Sequence, residues 1–209
     1  MIELPPINQI ALLVHDMHND ALKPGGHYPD AGKAPGTAEL IANNVRLLQA
    51  ARQRGIPVFF TGHFLRQDAR DAPRGGRSNK LDVLKDGSWG AAIIDELKPA
   101  PGDWLIRKGG GFSAFTGTPL EKWLHRLGVS TIVVGGAGTG AGVSSTIYAA
   151  RERDFRVVTV SDACNGAGSE NHRAAMLNLS SFTQVGNTEE VVTAIEAAGL
   201  DVRTPSSRR

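Results

Sequence analysis

Short apolar runs alternate along the chain with longer stretches in which apolar residues recur at helical spacing. The near-continuous apolar runs are typical of strands buried on both faces of a parallel sheet, and they cover 9–15, 58–61, 104–107, 131–135 and 156–160. The helical patterns cover 37–54, 89–97, 118–127, 141–154, 170–179 and 189–198. Strands that alternate with helices predict a Rossmann-like, three-layer α/β/α sandwich with a mainly parallel sheet and right-handed crossovers.

Local signals add detail to two parts of this pattern. Thr118, Pro119 and Glu121 have the order of an N-cap, a first-turn proline and a capping-box glutamate, so they predict a helix start. The segment 65–88 is rich in Arg, Asp and Gly and is too long for an ordinary connection. We therefore expect it to be a binding loop or a lid.

Composition narrows the class of protein. The chain has 209 residues, of which 41% are hydrophobic, and this predicts one sizeable core in a single domain over 1–209. The formal net charge of +2 is small, and basic residues cluster only at 66–77 and 208–209, so no nucleic-acid partner is expected. No run reaches the roughly 18 apolar residues of a membrane span, and 1–6 lacks a secretory leader pattern. We expect a cytoplasmic protein with a small-molecule substrate and no membrane partner.

Chemically active residues follow the predicted strands directly, where parallel sheets place their ligand crevice. Asp16 follows an apolar strand, so partial burial should raise the pKa of its carboxyl group and suit it to general acid or base chemistry; a carboxylate that caps a nearby loop is the alternative. Lys108 precedes three glycines that let the backbone turn its ammonium toward the crevice, although a surface lysine fits the pattern equally well. His63 and the segments 138–142 and 162–164 also follow strands.

The glycine-rich stretch 135–142 lies where the fourth predicted strand gives way to a helix. Backbone N–H groups at a helix start attract anions, so the stretch can hold a phosphate or form an oxyanion hole. It lacks the Lys-Ser/Thr ending of a P-loop and the surroundings of a dinucleotide fingerprint, which disfavours a nucleotide. An oxyanion hole, stabilised by the helix dipole, is the favoured interpretation.

Three blocks of sequence together resemble the isochorismatase-like (cysteine hydrolase) superfamily over nearly the whole chain. They are the Asp-Met-His-Asn-Asp run 16–20, Lys108 with 112–120, and the glycine-rich 136–143. Segments 161–163 and 170–172 resemble the later region of that family. The resemblance implies the family's α/β fold, hydrolase activity and assembly as a homodimer or homotetramer.

The amide-cleaving branch of this superfamily attacks a carbonyl carbon with an Asp-Lys-Cys triad. It includes nicotinamidases, N-carbamoylsarcosine amidase and hydrolases of the ureidoacrylate and biuret types. By resemblance, Asp16 and Lys108 are the aspartate and lysine of the triad, and the nucleophilic cysteine falls on Gly142. The resemblance also implies a non-proline cis bond between Ala137 and Gly138, which would aim the N–H groups of Gly138 and Gly142 at the substrate oxyanion.

Gly142 leaves several functions open, since glycine has no side chain with which to attack. True isochorismatases also have glycine there and cleave a vinyl ether with an aspartate and water, but they typically have Tyr-Ala-His where this chain has 138–140, and glutamine in place of His18. The neighbouring residues 139, 143–146 and 149–151 resemble the amidase branch instead. We therefore expect a hydrolase of a small polar amide, ureide or carbamoyl compound that is impaired as written or is an active-site variant. The alternatives are a vinyl-ether hydrolase and a non-catalytic small-molecule binding protein.

Further residues are candidates for substrate contacts, each with a plainer alternative. They are His18, His63, Arg66, Trp89, Phe112 and Phe115. The histidines can instead hold loops, Arg66 and the nearby Arg70, Arg74 and Arg77 can form a solvated surface, and the aromatic residues can belong to the core. Asp20 and His172 are expected to be structural.

Metal and thiol chemistry receive little support from the sequence. The run after His63 lacks the Asp-x-His spacing of the nicotinamidase metal motif, so no metal and no cofactor is predicted. Cys164 is the only cysteine, which excludes an internal disulfide and a Cys-based metal cluster. It can be a displaced nucleophile, but it follows a different strand, and free cysteines more often pack in a core.

Overall fold

The computed structural model describes residues 1–28, 30–75, 82–165 and 169–200. The strands in these ranges are β1 (Ile10–His15), β2 (Val58–His63), β3 (Trp104–Lys108), β4 (Thr131–Ala137), β5 (Arg156–Asn165) and β6 (Gln184–Gly186). Its α-helices are α1 (Asn19–Leu22), α2 (Thr37–Gln53), α3 (Leu120–Arg126), α4 (Ser144–Arg151), α5 (Ser169–Leu179) and α6 (Thr188–Ala197). Short 3₁₀ turns lie at Ile7–Gln9 and Asp95–Leu97, and a π-helical turn lies at Thr139–Val143.

The strands form one six-stranded sheet in the order β3-β2-β1-β4-β5-β6, and all its strand pairs are parallel. Alternate residues of β1 enter two separate cores, because successive side chains of a strand point to opposite faces. Leu12 and Val14 pack with apolar residues of α2 and α6. Ala11 and Leu13 pack with those of α3 and α4. Helices therefore cover both faces of the sheet, and the predicted three-layer sandwich is confirmed.

Each of the five predicted strands occurs, and β1 and β4 occupy the middle of the sheet. Their continuous apolar runs reflect this position, since both faces of a central strand are buried. The prediction missed β6, which has only three residues and pairs with β5 at the edge of the sheet. So short a segment carries no usable periodicity.

The predicted helix over 89–97 is wrong, because only the 3₁₀ turn Asp95–Leu97 is helical there. The backbone of this segment bonds instead to residues 17–20: Asn19 N donates to Ala92 O, Asp20 N to Gly90 O, and Ile94 N to Met17 O. An antiparallel bridge joins His18 to Ile93. Contacts between segments distant in sequence thus replace the local bonds that a helix needs.

Two predicted helices begin later than their sequence signals suggest. The Thr118 hydroxyl donates to Ala114 O at 2.5 Å and accepts from Leu120 N, where α3 begins, at 3.3 Å. Thr118 N donates to Phe115 O rather than to Glu121, so the glutamate half of the predicted capping box is absent. The helix predicted from 141 divides into the π-helical turn Thr139–Val143 and α4. None of the helices that the structure describes is long and apolar enough to cross a membrane.

The long segment 65–88 folds onto itself in the parts that are described. Leu65 N donates to Leu84 O, and Asp86 N donates to Leu65 O, each at 2.8 Å. Leu65 and Leu84 also belong to a small apolar cluster with Ala72 and Val83. The segment therefore has its own anchor beside β2 and β3. Its role as a binding loop or a lid stays a prediction.

A complete capping box starts α6, and its removal should be measurable. Asn187 Oδ1 accepts from Glu190 N, and Glu190 Oε2 accepts from Asn187 N, each at 2.9 Å. Asn187→Ala removes the first bond and should lower the free energy of unfolding by about 1 kcal/mol, measured by urea denaturation. Asn187→Asp keeps an acceptor and is the control. An alanine variant as stable as the original chain would contradict this account of the helix start.

Candidate active site

The ends of three neighbouring strands bring Asp16, His63 and Lys108 together. In the sheet register, His15 lies opposite Thr61 across β1 and β2, and His63 lies opposite Lys108 across β2 and β3. Lys108 Nζ is 2.8 Å from Asp16 Oδ2, and His63 Nε2 is 3.3 Å from the same oxygen. The carboxyl ends of three neighbouring parallel strands therefore bring these side chains together, at the edge where parallel sheets place their ligand crevice.

Asp16 turns sharply out of β1, with a left-handed φ of 50°. Its backbone N–H donates to Thr61 O at 3.0 Å, which fixes the turn against β2. Aspartate tolerates this region better than most residues. The turn directs the carboxylate across the strand ends toward Lys108.

The predicted rise in the pKa of Asp16 is wrong. Burial does raise this pKa, but the neighbouring His15, Lys108 and His63 lower it by more and hold it well below the usual range of an aspartate. A cation at hydrogen-bond distance favours the ionised carboxylate. Asp16 is therefore a carboxylate at neutral pH, the form of the group that can accept a proton.

Lys108 points inward, and only 2% of the residue is exposed. Its ammonium group reaches three acceptors: Asp16 Oδ2 at 2.8 Å, Phe112 O at 2.8 Å and His15 Nε2 at 3.3 Å. An ammonium has three N–H donors, so these partners satisfy it. Burial lowers the pKa of Lys108, while the charge of Asp16 and its hydrogen bond raise it; the net shift is downward. The alternative of a surface lysine is thereby excluded.

The two carboxylate oxygens of Asp16 differ in their surroundings. Oδ2 faces Lys108, His63 and, at 3.4 Å, His15 Nδ1. Oδ1 is buried and accepts no hydrogen bond from the described residues. A buried acceptor of this kind is costly unless a partner reaches it. Oδ1 is therefore the atom of the site that is ready to accept from a water molecule or a substrate N–H.

His18 is buried, and its ring forms hydrogen bonds to the backbone of two other segments. Its Nδ1 lies 2.7 Å from Ala91 O, and its Nε2 accepts from the backbone N–H of His63 at 3.0 Å. This pairing assigns the proton to Nδ1. Burial lowers the pKa of His18 to about 4, so the ring is neutral. With both nitrogens bonded to backbone, the geometry supports the loop-holding role over a substrate contact.

His63 lies at the mouth of the site. Its Nδ1 is 2.6 Å from Gly109 O, which orients the ring so that Nε2 faces Asp16. The side chain is 15% exposed, unlike the fully buried ring of His15. Of the two candidate histidines, His63 is thus the one that the structure places against the aspartate and near solvent.

The glycine-rich turn after β4 differs from the expected oxyanion hole. The Ala137–Gly138 bond is trans, as is every peptide bond that the structure describes, so the predicted cis bond is wrong. Gly138 has a left-handed φ of 82°, and its N–H donates to Asn165 O at 2.7 Å. That bond to the neighbouring strand occupies the N–H which was expected to face a substrate.

Gly142 lies buried in the π-helical turn, directly beside His15. A Cβ atom at this position would lie 2.5 Å from His15 Cε1. The imidazole of His15 therefore lies between Lys108 and Gly142, the position that the resemblance assigns to a cysteine.

Comparison with known proteins identifies the family of this chain. Residues 10–190 match the Isochorismatase domain. The chain belongs to the isochorismatase family. A relative from Methylobacterium radiotolerans, the ureidoacrylate amidohydrolase RutB, is 33% identical over 93% of this chain and 81% of its own.

Solved structures agree with this placement. A cysteine hydrolase from Pseudomonas syringae has a TM-score of 0.82 and 25% identity, over 94% of this chain and 100% of the other. N-carbamoylsarcosine amidase from Thermoplasma acidophilum has a TM-score of 0.71 and 24% identity, over 87% of this chain and 97% of the other, a level that shows the fold alone. The chain is an isochorismatase-like hydrolase, and its named relatives lie in the amide-cleaving branch.

The remaining candidate contacts of this isochorismatase-family site are spread more widely. Arg66 pairs with Asp68 on the surface at 3.0 and 3.1 Å, and Arg77 lies outside the described residues. The rings of Trp89 and Phe112 are each 54% exposed, and Phe112 contributes to the site through its carbonyl group on Lys108. Phe115 is buried in the core shared with α3 and α4.

Asp20 and His172, which were expected to have structural roles, form hydrogen bonds to neighbouring segments. Asp20 accepts from Leu84 N at 2.6 Å and from the His27 ring, also at 2.6 Å, which ties α1 to the segment after 81. His172 Nδ1 lies 3.1 Å from the Thr139 hydroxyl, which ties α5 to the π-helical turn. Both residues thus support elements that carry the site.

Cys164 is poorly suited to be a displaced nucleophile. It is buried in the core, where its Sγ lies 3.7 Å from Val134 O. Burial raises the pKa of its thiol to about 12, so the group stays protonated at neutral pH. A thiol needs its thiolate form to attack, which this environment withholds.

The site residue that the sequence interpretation missed is His15. It is the last residue of the apolar run 9–15, and its ring contacts Lys108 and lies against Gly142. The available signal is a histidine in a strand whose other residues are all apolar. That signal marks an unusual residue but does not say what the residue faces.

The free energy of unfolding should decrease as the pH is lowered from about 6, because two imidazoles are held neutral in the folded protein. Burial is the largest cause that lowers the pKa of His15 to about 3 and that of His18 to about 4, from 6.5. Between these values and 6.5 the unfolded chain binds protons that the folded chain does not, so stability rises with pH. We expect the free energy of unfolding to drop by about 1 kcal/mol per pH unit for each imidazole between pH 6 and 4.

Urea denaturation at a series of pH values measures this slope. His18→Gln should make it shallower, since one of the two neutral imidazoles is gone. His125→Gln removes an imidazole that is 58% exposed and is the matched control. A slope unchanged by His18→Gln would show that this ring is not held neutral.

Proposed function

We propose that the protein hydrolyses a C–N bond in a small polar amide, ureide or carbamoyl compound, and that water is the attacking group. The observation that carries the proposal is the ionised Asp16, held by the buried Lys108 at 2.8 Å, with its Oδ1 unpartnered among the described residues. The ureidoacrylate amidohydrolases to which the chain is similar support a C–N bond as the target. All of these compounds have N–H groups that can donate to Oδ1, and the similarity to ureidoacrylate amidohydrolases favours ureides among them.

Water is the proposed nucleophile because the described site offers no reactive thiol. Gly142 has no side chain, and the Cys164 thiol is buried and protonated. Removal of a nucleophile from other hydrolases lowers turnover by a factor on the order of 10⁶, and the residual catalysis comes from binding and electrostatics. We therefore expect turnover to be slow relative to thiol-dependent relatives.

In the proposed reaction, Asp16 accepts one proton and later returns it. The water oxygen bonds to the carbonyl carbon, and one water proton passes to the Asp16 carboxylate. The tetrahedral intermediate then collapses, the C–N bond breaks, and the leaving nitrogen takes the proton back from Asp16. Lys108 stabilises the carboxylate before and after this exchange. The low pKa of Asp16 makes it a weak base, which is a second reason for slow turnover.

Cleavage of a vinyl ether receives less support from this site. That reaction begins with a proton delivered to carbon by an acid that is already protonated before the substrate reacts, whereas Asp16 is ionised at neutral pH and gains a proton only from the attacking water. A non-catalytic role would use the same Oδ1 to bind a ligand without turnover. The assay below separates these functions.

A substrate panel tests the proposal. We expect ammonia release from ureidoacrylate or another N-carbamoyl compound, and no product from a chorismate-like vinyl ether. Asp16→Asn and Lys108→Met should each lower turnover by about 100-fold or more, because they remove the proton acceptor and its counter-charge. Glu152→Gln removes an exposed carboxylate at the end of α4 and is the control.

Three results would decide against the proposal. Turnover of the vinyl ether alone would assign the other chemistry. Equal activity of Asp16→Asn and the original chain would remove Asp16 from the mechanism. Thermal stabilisation by a ureide, without product from any compound, would assign a binding role.

A further inference from the structure

Gly142 is constrained by space rather than by backbone conformation. Its φ lies outside the left-handed range that favours glycine, so an L-residue fits its backbone. A Cβ atom there would lie 2.5 Å from His15 Cε1, 3.3 Å from Nδ1 and 3.4 Å from Nε2. All three nearest atoms belong to one imidazole ring. His15 thus fills the volume that a side chain at 142 would need.

The His15 ring has little room to move away. The residue is 0% exposed and ends β1, where it lies opposite Gly136 of β4 and Thr61 of β2. Its Nε2 lies 3.3 Å from Lys108 Nζ. Rotation of the ring to admit a side chain would break this contact and require repacking of a buried site.

The contact with Lys108 defines the state of the ring. An ammonium can only donate, so Nε2 must be the acceptor and the proton of the neutral ring lies on Nδ1, which is 3.4 Å from Asp16 Oδ2 and makes no hydrogen bond to that oxygen. Of the three N–H donors of Lys108, Asp16 and Phe112 take two, and His15 takes the third. His15 therefore satisfies the part of the buried ammonium that would otherwise lack a partner.

We propose that His15 is a positioning residue that holds Lys108 against Asp16. We also propose that position 142 is glycine because the His15 ring leaves no room there for a side chain. On this account the two positions are a matched pair, and the glycine is an adaptation to the imidazole rather than an isolated loss. The catalytic meaning of the pair rests on the proposed function. Its structural meaning does not, and the mutant cycle and the NMR experiment below use no substrate.

A double-mutant cycle tests the spatial half of the proposal. Gly142→Ala adds only the Cβ atom and should lower the folding equilibrium constant by about tenfold or more, because the ring cannot yield. His15→Val removes the ring and places at the strand end a β-branched residue, which favours strands. In that background, Gly142→Ala should be nearly neutral or stabilising. Urea denaturation of the four proteins gives the coupling.

The same π-helical turn offers a matched control. Gly140 also has no left-handed φ, and a Cβ atom there would meet nothing within 4 Å. Gly140→Ala should therefore be tolerated equally in both backgrounds. An equal cost of Gly142→Ala with and without His15 would overturn the pairing. A large cost that disappears in the His15→Val background would establish it.

The tautomer of His15 tests the positioning half. Nitrogen-15 NMR of the histidine rings at pH 7 should show a neutral His15 with its proton on Nδ1. Lys108→Met should abolish that preference, since the donor to Nε2 is gone, whereas Lys122→Met removes a lysine from α3 and should leave it unchanged. A proton on Nε2, or a charged ring, in the original chain would overturn the proposed contact.

These outcomes are separable from the fate of the proposed function. If the mutant cycle and the tautomer agree with the proposal but no ureide is hydrolysed, the pairing of His15 with Gly142 is supported and the proposed hydrolase function is overturned. If ureides are hydrolysed but the cycle shows no coupling, the function stands and the pair fails. His15→Gln, which retains an oxygen acceptor for Lys108, should preserve more turnover than His15→Val if both proposals hold.

Discussion

The buried ion pair between Lys108 and Asp16 is the interaction on which the site depends. Two charges removed from water are favourable only when their geometry is good and their other hydrogen-bonding groups are satisfied. The sheet supplies this geometry, since β1 and β3 flank β2 and all three strands end at the same edge of the sheet. Phe112 O and His15 Nε2 take the remaining donors of the ammonium. Loss of either ion would leave the other buried without compensation, so the surrounding turns are built to keep both.

This pair also decides what the aspartate can do. Burial alone makes a carboxylate a better acid or base near neutral pH, and that is the expectation which an apolar strand creates. His15, Lys108 and His63 together reverse the direction, so the pKa of Asp16 falls and the group stays ionised. A carboxylate with one fully engaged oxygen and one unpartnered oxygen suits proton acceptance and N–H recognition. The same arrangement is poorly suited to delivering a proton to carbon.

The sequence was sufficient for the sheet and for the strand ends, because long apolar runs and the parallel topology leave few alternatives. It failed at 89–97, where bonds to 17–20 override a local helical pattern. It also failed at Gly138, whose N–H is taken by Asn165 on the next strand. Both errors have one physical origin. Backbone groups were satisfied by partners distant in sequence, which periodicity and a resemblance to relatives do not reveal.

His15 and Gly142 show how this limitation affects functional interpretation. Viewed along the sequence, the glycine is a missing side chain, and its natural explanation is loss of a nucleophile. In three dimensions the same volume is occupied by an imidazole that the buried lysine also uses. A cysteine placed at 142 would therefore compete with His15 for space before it could attack anything. If both proposals hold, the two residues have to be changed together for thiol chemistry to return, and the glycine is then part of a coherent water-dependent site rather than a gap in a thiol-dependent one.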